Sequence, residues 1–156
     1  MSQARFVACV AGRRFGKTFT SVASLVRAAV KAPNQNVWYV APTYGAAKEI
    51  CWTMLINAIP AEYIAKTNET SLTIRLINGS YIALKGAEKP NLLRGRALNH
   101  VVLDEFSEMR PETWYEVLRA SLSDRNGSCL FIGTPKGSNH FYDLWAKAKD
   151  GADGWE

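Results

Sequence analysis

The sequence predicts an α/β fold: a mostly parallel sheet with helices on both faces and one β-hairpin. Two observations carry this. Short apolar runs alternate with stretches of helical periodicity along most of the 156 residues, the pattern of parallel strands joined by right-handed helical crossovers. Two runs are instead joined by Asn78-Gly79-Ser80, and Asn-Gly between apolar runs is a strong hairpin signal.

The elements follow in order. Phe6–Ala11 is a short apolar strand ending at a glycine. Lys17–Ala32 is a helix with Phe19, Val22, Leu25, Val26, Ala29 and Val30 on one stripe, stopped by Pro33 and Asn34. Asn36–Ala41 is the second strand. Thr43 is placed to cap a helix carrying Ile50, Cys51, Met54, Leu55 and Ile59. Leu72–Ile77 and Tyr81–Lys85 form the hairpin, and residues 86–99 form a loop. His100–Asp104 is continuously apolar until its end, as a strand buried on both faces requires. Pro111 opens a helix with Trp114, Val117 and Leu118 inward. Leu130–Gly133 is the last strand, and Ser138 is positioned to cap a final helix carrying Phe141, Leu144 and Trp145.

The length suits one domain, and 47% hydrophobic with 21% charged residues is ordinary for a globular protein. No apolar run reaches the roughly 20 residues of a membrane span, and the start MSQARFVACVAGRR lacks a signal-peptide core. The cysteines Cys9, Cys51 and Cys129 are odd in number and widely spaced, and His100 and His140 stand alone. That spacing argues against zinc or disulfides; Cys9 and Cys129 lie in apolar strands and are expected to be buried thiols. Asn68, Asn78 and Asn126 match the glycosylation pattern by chance, given no secretory signal. The net charge of +5 is unevenly placed: residues 1–103 hold 13 basic and 4 acidic side chains, and residues 104–156 hold 6 and 10. The basic segment is either a solvated face or a surface for phosphates.

The chemistry concentrates in three motifs. Ala11-Gly12-Arg13-Arg14-Phe15-Gly16-Lys17-Thr18 follows a strand and opens a helix, the setting a phosphate-binding loop needs. Its backbone N–H groups and helix N-terminus attract phosphate, with Gly12, Arg13, Arg14, Phe15 and Gly16 forming the loop. Lys17 can reach the β- and γ-phosphates, and the Thr18 hydroxyl can ligate Mg²⁺. The first glycine of the usual pattern is displaced from position 11 to Gly12. The second motif, HVVLDE, puts Asp104 and Glu105 at the carboxyl end of a strand, where such sheets bind ligands. Asp104 is the expected Mg²⁺ partner, directly or through water, and Glu105 the group that activates water. The third, LFIGTPKG, sets Thr134 at another strand end, where a hydroxyl could sense the γ-phosphate.

In this order the motifs resemble the ATPase domain of tailed-phage terminase large subunits, a P-loop NTPase core of the ASCE type, over roughly residues 5–149. GRRFGKT is similar to that family's Walker A, LRGRALNHVVLDEFSEM looks like its Walker B region, and GTPKG is similar to its coupling motif. The resemblance implies ATP and Mg²⁺ as cofactors and translocation of double-stranded DNA into a procapsid. It further implies portal protein and a small terminase subunit as partners, a homo-oligomeric ring, no membrane, and a site in the host cytoplasm. Lys17, Thr18, Asp104, Glu105 and Thr134 carry over as nucleotide-site residues. An arginine finger is expected from Arg13, Arg14, Arg94 or Arg96, with Arg94 taken as catalytic, and Gln3 is a candidate adenine contact. Residues 1–150 are then an ATPase core short at its C-terminal end, residues 151–156 the start of a linker or lid, and the family's nuclease domain lies outside this chain. GADGWE is expected to close nothing, leaving Trp155 without a core to join. A helicase or recombination ATPase, and a catalytically silent nucleotide- or DNA-binding segment, are the alternatives.

Overall fold

A computed structural model describes residues 4–152 and 154–155 of the chain. Among these, seven strands form one sheet: β1 (Phe6–Val10), β2 (Asn36–Ala41), β3 (Ile64–Asn68), β4 (Thr73–Leu76), β5 (Tyr81–Gly86), β6 (His100–Asp104) and β7 (Ser128–Gly133). Their spatial order is β1-β7-β6-β2-β5-β4-β3. The first five in that order run parallel, with Val10 beside Gly133 and Asp104 beside Ile132. The carboxyl ends of β1, β7 and β6 therefore lie side by side.

The hairpin is present, and a further antiparallel strand joins it: β3 pairs with β4, and β4 with β5. β3 escapes a reading by periodicity because four of its five residues are exposed. An edge strand of this kind carries no alternating apolar signal.

Helices cover both faces. On one lie α1 (Lys17–Val30) and α2, residues 44–58, whose stretch Lys48–Trp52 is π-helical. They bury Val22, Leu25, Ala29, Cys51 and Leu55 against Val37, Tyr39, Ile82 and Ile132. Thr43 caps α2, its Oγ1 accepting from Ala46 N at 3.1 Å. On the other face α3, residues 113–123, and α4 (His140–Lys149) pack Trp114, Val117, Leu118, Phe141 and Leu144 on Val101, Leu103 and Phe131.

Three expectations are corrected. Phe19 and Val30 are 71% and 58% exposed, and Ile50 and Met54 are also exposed. The buried line of α1 runs through Ser21, Val22, Leu25 and Ala29, so the apolar stripe is wider than the buried one. Phe19, Val30, Ile50 and Met54, with Val22 and Val26, line an open apolar groove between α1 and α2. The cap of α4 is Asn139 rather than Ser138, its Oδ1 accepting from Phe141 N and Tyr142 N at 3.0 and 3.1 Å. Trp155 does join a core. Its ring stacks on Phe131 at 5.6 Å and lies 5.1 Å from Phe6, while Gly154 O accepts from Phe6 N at 2.9 Å. Sequence position concealed this contact, because β1 and residues 154–155 meet only once the sheet has formed.

The cysteines are free, Cys51 and Cys129 being buried and Cys9 only partly so. Burial pushes the Cys51 thiol up to about 12. No described helix is long and apolar enough to cross a membrane.

His100 has a structural role. Its ring nitrogens lie 2.8 Å from Ser24 Oγ and 2.8 Å from Ser128 Oγ, so it ties α1 to β6 and β7 as a neutral ring, one nitrogen donating and the other accepting. Burial pushes its pKa down from 6.5 to about 4, with the Ser128 backbone working the other way. The unfolded chain therefore takes up this proton first as pH falls. Stability is expected to decline from about pH 6.5 and to level off near pH 4, by roughly 2 kcal/mol between pH 7.5 and 5. Urea midpoints across that range test this; His100→Gln should flatten the dependence.

Candidate nucleotide site

The candidate phosphate-binding loop, residues 11–16, connects the end of β1 to α1 and is tied to the sheet by Ala11 N donating to Gly133 O at 3.1 Å. Two of its residues are left-handed, Arg14 at φ 66° and Gly16 at φ 76°. Gly16 is the one that needs glycine, since it turns the chain into α1. At Gly12 a Cβ would meet only the Phe15 ring, at 3.7 Å, so the displaced glycine is not imposed by crowding. α1 starts without a side-chain cap and without an acidic residue in its first turn. Such a start suits an anionic ligand, because the helix dipole places partial positive charge there. Arg13, Arg14 and Phe15 are exposed around the loop, and Thr18 is half-buried.

The structure brings Lys17, Glu105 and Thr134 into direct contact from α1, the end of β6 and the end of β7. Lys17 Nζ lies 2.7 Å from Glu105 Oε1 and also donates to Thr134 Oγ1. Thr134 Oγ1 donates to Glu105 Oε1 at 2.9 Å, and Thr134 N to Glu105 Oε2 at 3.2 Å. Burial alone would raise the Glu105 pKa, but the bonds from Lys17 and Thr134 outweigh it and hold the carboxyl below its usual range. Glu105 is thus an ionised acceptor. It sits at φ 50° and ψ 47°, a left-handed conformation uncommon outside glycine and concentrated at functional sites.

Asp104 is buried, and its Oδ2 accepts from Tyr39 Oη at 2.5 Å. Burial raises its pKa, partly offset by the Tyr39 bond; burial and the same carboxylate also push the Tyr39 hydroxyl up. Tyr39 is the contact that sequence reading missed. The signal was a tyrosine in a strand otherwise buried and apolar, whose hydroxyl must find a partner. Among the described residues no group of three His, Cys, Asp or Glu side chains forms a metal cluster. A magnesium site of the P-loop kind needs none, since one hydroxyl, one carboxylate, phosphates and waters complete it. The buried Asp104 carboxylate, fixed through one oxygen, fits that donor set.

The remaining candidates fall elsewhere. Arg94 is exposed, with Nε bonded to Asn91 Oδ1 at 3.2 Å and Nη2 3.8 Å from Glu116 Oε2, so its partners are not P-loop residues. Arg96 faces a cleft on the sheet with Arg75 and Lys85. Gln3 lies outside the described residues. A second pair at the rim, Lys136 with Glu108, joins the GTPKG turn to the segment after β6.

A parallel sheet with a P-loop beside β7, and with an acidic pair ending β6, defines a P-loop NTPase fold of the ASCE type. The family described as "Terminase large subunit, T4likevirus-type, N-terminal" matches residues 8–154. This chain belongs to that family. It is 31% identical over 160 residues to the terminase large subunit of Thermus phage G20c, covering 90% of this chain and 33% of that protein. It is 32% identical over 151 residues to that of Escherichia phage T5, covering 94% and 34%. The chain thus spans about a third of the length of these relatives. The large terminase ATPase domain of Thermus phage P74-26 superposes with a TM-score of 0.80 at 29% identity, over 92% of this chain and 64% of that one. A large terminase from a thermophilic bacteriophage, in complex with ATP-gamma-S, shares the fold, with a TM-score of 0.76 at 22% identity, over 94% and 37%.

Proposed function

We propose that this chain is the ATP-hydrolysing motor portion of a phage large terminase, coupling hydrolysis to movement of double-stranded DNA into a procapsid. The observation that carries the reading is the contact of Lys17, Glu105 and Thr134 where β1, β6 and β7 end together. Each supplies one part of phosphoryl transfer. The arrangement is that of a site waiting for phosphate, because Lys17 is held by the carboxylate that must later act on water.

In this reading ATP enters against the N-terminus of α1, and Lys17 exchanges Glu105 for the β- and γ-phosphates. Glu105, freed and ionised, accepts a proton from the attacking water. Thr134 keeps contact with Glu105 and feels the γ-phosphate, so loss of phosphate reaches the GTPKG turn and the Lys136–Glu108 pair beyond it. Thr18 and Asp104 would hold Mg²⁺, which when bound neutralises charge on the phosphate oxygens. Tyr39 keeps Asp104 aimed at that position.

The same reading assigns residues 1–150 to the ATPase core and puts a nuclease domain in the rest of the full-length subunit. It makes portal protein and a small subunit the partners in the host cytoplasm, at the procapsid portal, with no membrane involved. In an assembled ring Arg94 would leave Glu116 to act on a neighbouring subunit's nucleotide. Hydrolysis by the full-length subunit is the test. ATP turnover is expected with Mg²⁺ and to be lost in EDTA, and duplex DNA with procapsids should raise it. No Mg²⁺-dependent turnover under any of these conditions would count against the proposal.

A further inference from the structure

His140 is the first residue of α4, and its Nε2 lies 2.8 Å from the carbonyl oxygen of Phe106, the residue after Glu105. A carbonyl only accepts, so Nε2 carries the proton and donates. The same oxygen accepts from Met109 N at 3.0 Å, and Glu105 O accepts from Glu108 N at 2.8 Å. These bonds close the short turn that follows β6. Glu105 enters the turn in its left-handed conformation, at φ 50°, which a residue other than glycine keeps when its surroundings fix it. The two backbone bonds are local to the turn. The bond from His140 comes from a residue 34 positions further along the chain.

The first turn of α4 holds that donor in place. Asn139 caps the helix through Oδ1 and reaches back through Nδ2 to Lys136 O at 3.1 Å. Phe141, next to His140, is buried and lies over Gly133. A Cβ at Gly133 would stand 2.9 Å from the Phe141 ring and 3.6 Å from Glu105 Oε2, so a glycine there lets the helix and the carboxylate approach the end of β7 together. The His140 ring packs edge-on against Phe106, with centroids 4.8 Å apart, and Phe106 is fully buried beside Phe131. The Lys136–Glu108 pair adds a second, half-exposed tie to the same turn.

We propose that His140 is a positioning residue for ATP hydrolysis: its Nε2–H, through the Phe106 carbonyl, holds the turn from which Glu105 aims its carboxylate at the attacking water. The role given to Glu105 rests on the ATPase reading; the brace between α4 and the turn does not.

The test compares His140→Gln with His140→Leu and His140→Phe in the full-length subunit. The glutamine amide can place a donor near the position of Nε2; leucine and phenylalanine fill space against Phe106 and donate nothing. The two apolar variants are expected to lower kcat by roughly 10- to 100-fold, the loss that a misplaced catalytic group produces, with KM and the thermal shift on ATP binding little changed. His140→Gln should recover most of that loss. In a Glu105→Gln background His140→Leu should cost almost nothing further, because residues that act through one another are not additive. Amide hydrogen exchange of residues 105–109, without nucleotide, should quicken in the apolar variants and return towards the wild type in His140→Gln. Equal losses in all three variants, a full additional loss in the Glu105→Gln background, or weakened ATP binding with kcat intact would overturn the proposal. So would exchange that no variant alters. A wild type that hydrolyses no ATP would sink the motor reading, and the exchange comparison would then decide the brace by itself.

Discussion

Glu105→Gln in the full-length subunit is expected to lower ATP turnover by roughly 10²- to 10⁴-fold while nucleotide binding persists, the range that removal of a general base commands. The substitution keeps the shape of the side chain and removes its charge. Glutamine can still accept from the Thr134 hydroxyl, now 2.9 Å from Glu105 Oε1, but cannot take a proton from water. It also no longer competes for the Lys17 ammonium, 2.7 Å away in the wild type, so nucleotide affinity should equal or exceed that of the wild type. Turnover in single-mixing assays, together with equilibrium binding of a fluorescent ATP analogue, separates the two effects. A purely structural carboxylate would lose stability and binding together.

Lys17→Ala should have the opposite profile, losing binding first. A hydrogen bond to a charged group contributes about 1.5–3 kcal/mol, which corresponds to about 10- to 150-fold in nucleotide affinity. Removing the ammonium also deprives Glu105 of the cation that does most to lower its pKa, so the carboxyl should titrate higher than in the wild type. Isothermal titration with ATP checks the first effect, and the carboxyl chemical shift of Glu105 as a function of pH checks the second.

Much of this site was legible before any fold was known, because P-loop chemistry is local. A loop that must wrap phosphate is written in consecutive residues, and Gly16-Lys17-Thr18 at a strand-to-helix turn carries that information alone. Asp104-Glu105 and Thr134 were legible for a related reason: each ends an apolar run, and strand ends in a parallel sheet converge. What could not be read was contact across the sheet. The Tyr39–Asp104 bond joins residues 65 positions apart and depends on β2 lying beside β6. The packing of Trp155 on Phe131 depends on β1 lying beside β7. β3 was hidden because an exposed edge strand carries no apolar pattern, and Phe19 was misplaced because α1 carries more apolar surface than the sheet covers. The Arg75–Lys85–Arg96 cleft is of the same kind. Its members look like scattered surface cations until strand register gathers them.

The central claim is that Lys17 leaves Glu105 to take up the phosphates of ATP. The most direct measurement is the thermal midpoint of this chain with and without ATP and Mg²⁺, for the wild type and Lys17→Ala side by side. A ligand that binds only the folded state at 100 times its Kd adds about 2.7 kcal/mol. For a domain of this size that corresponds to an upward shift of roughly 5–10 °C. The account predicts such a shift in the wild type and, with affinity about 10- to 150-fold lower, a shift cut to between about a half and a tenth of it in Lys17→Ala at the same nucleotide concentration. A wild-type midpoint that ATP and Mg²⁺ do not move, or an equal shift in both proteins, would contradict it.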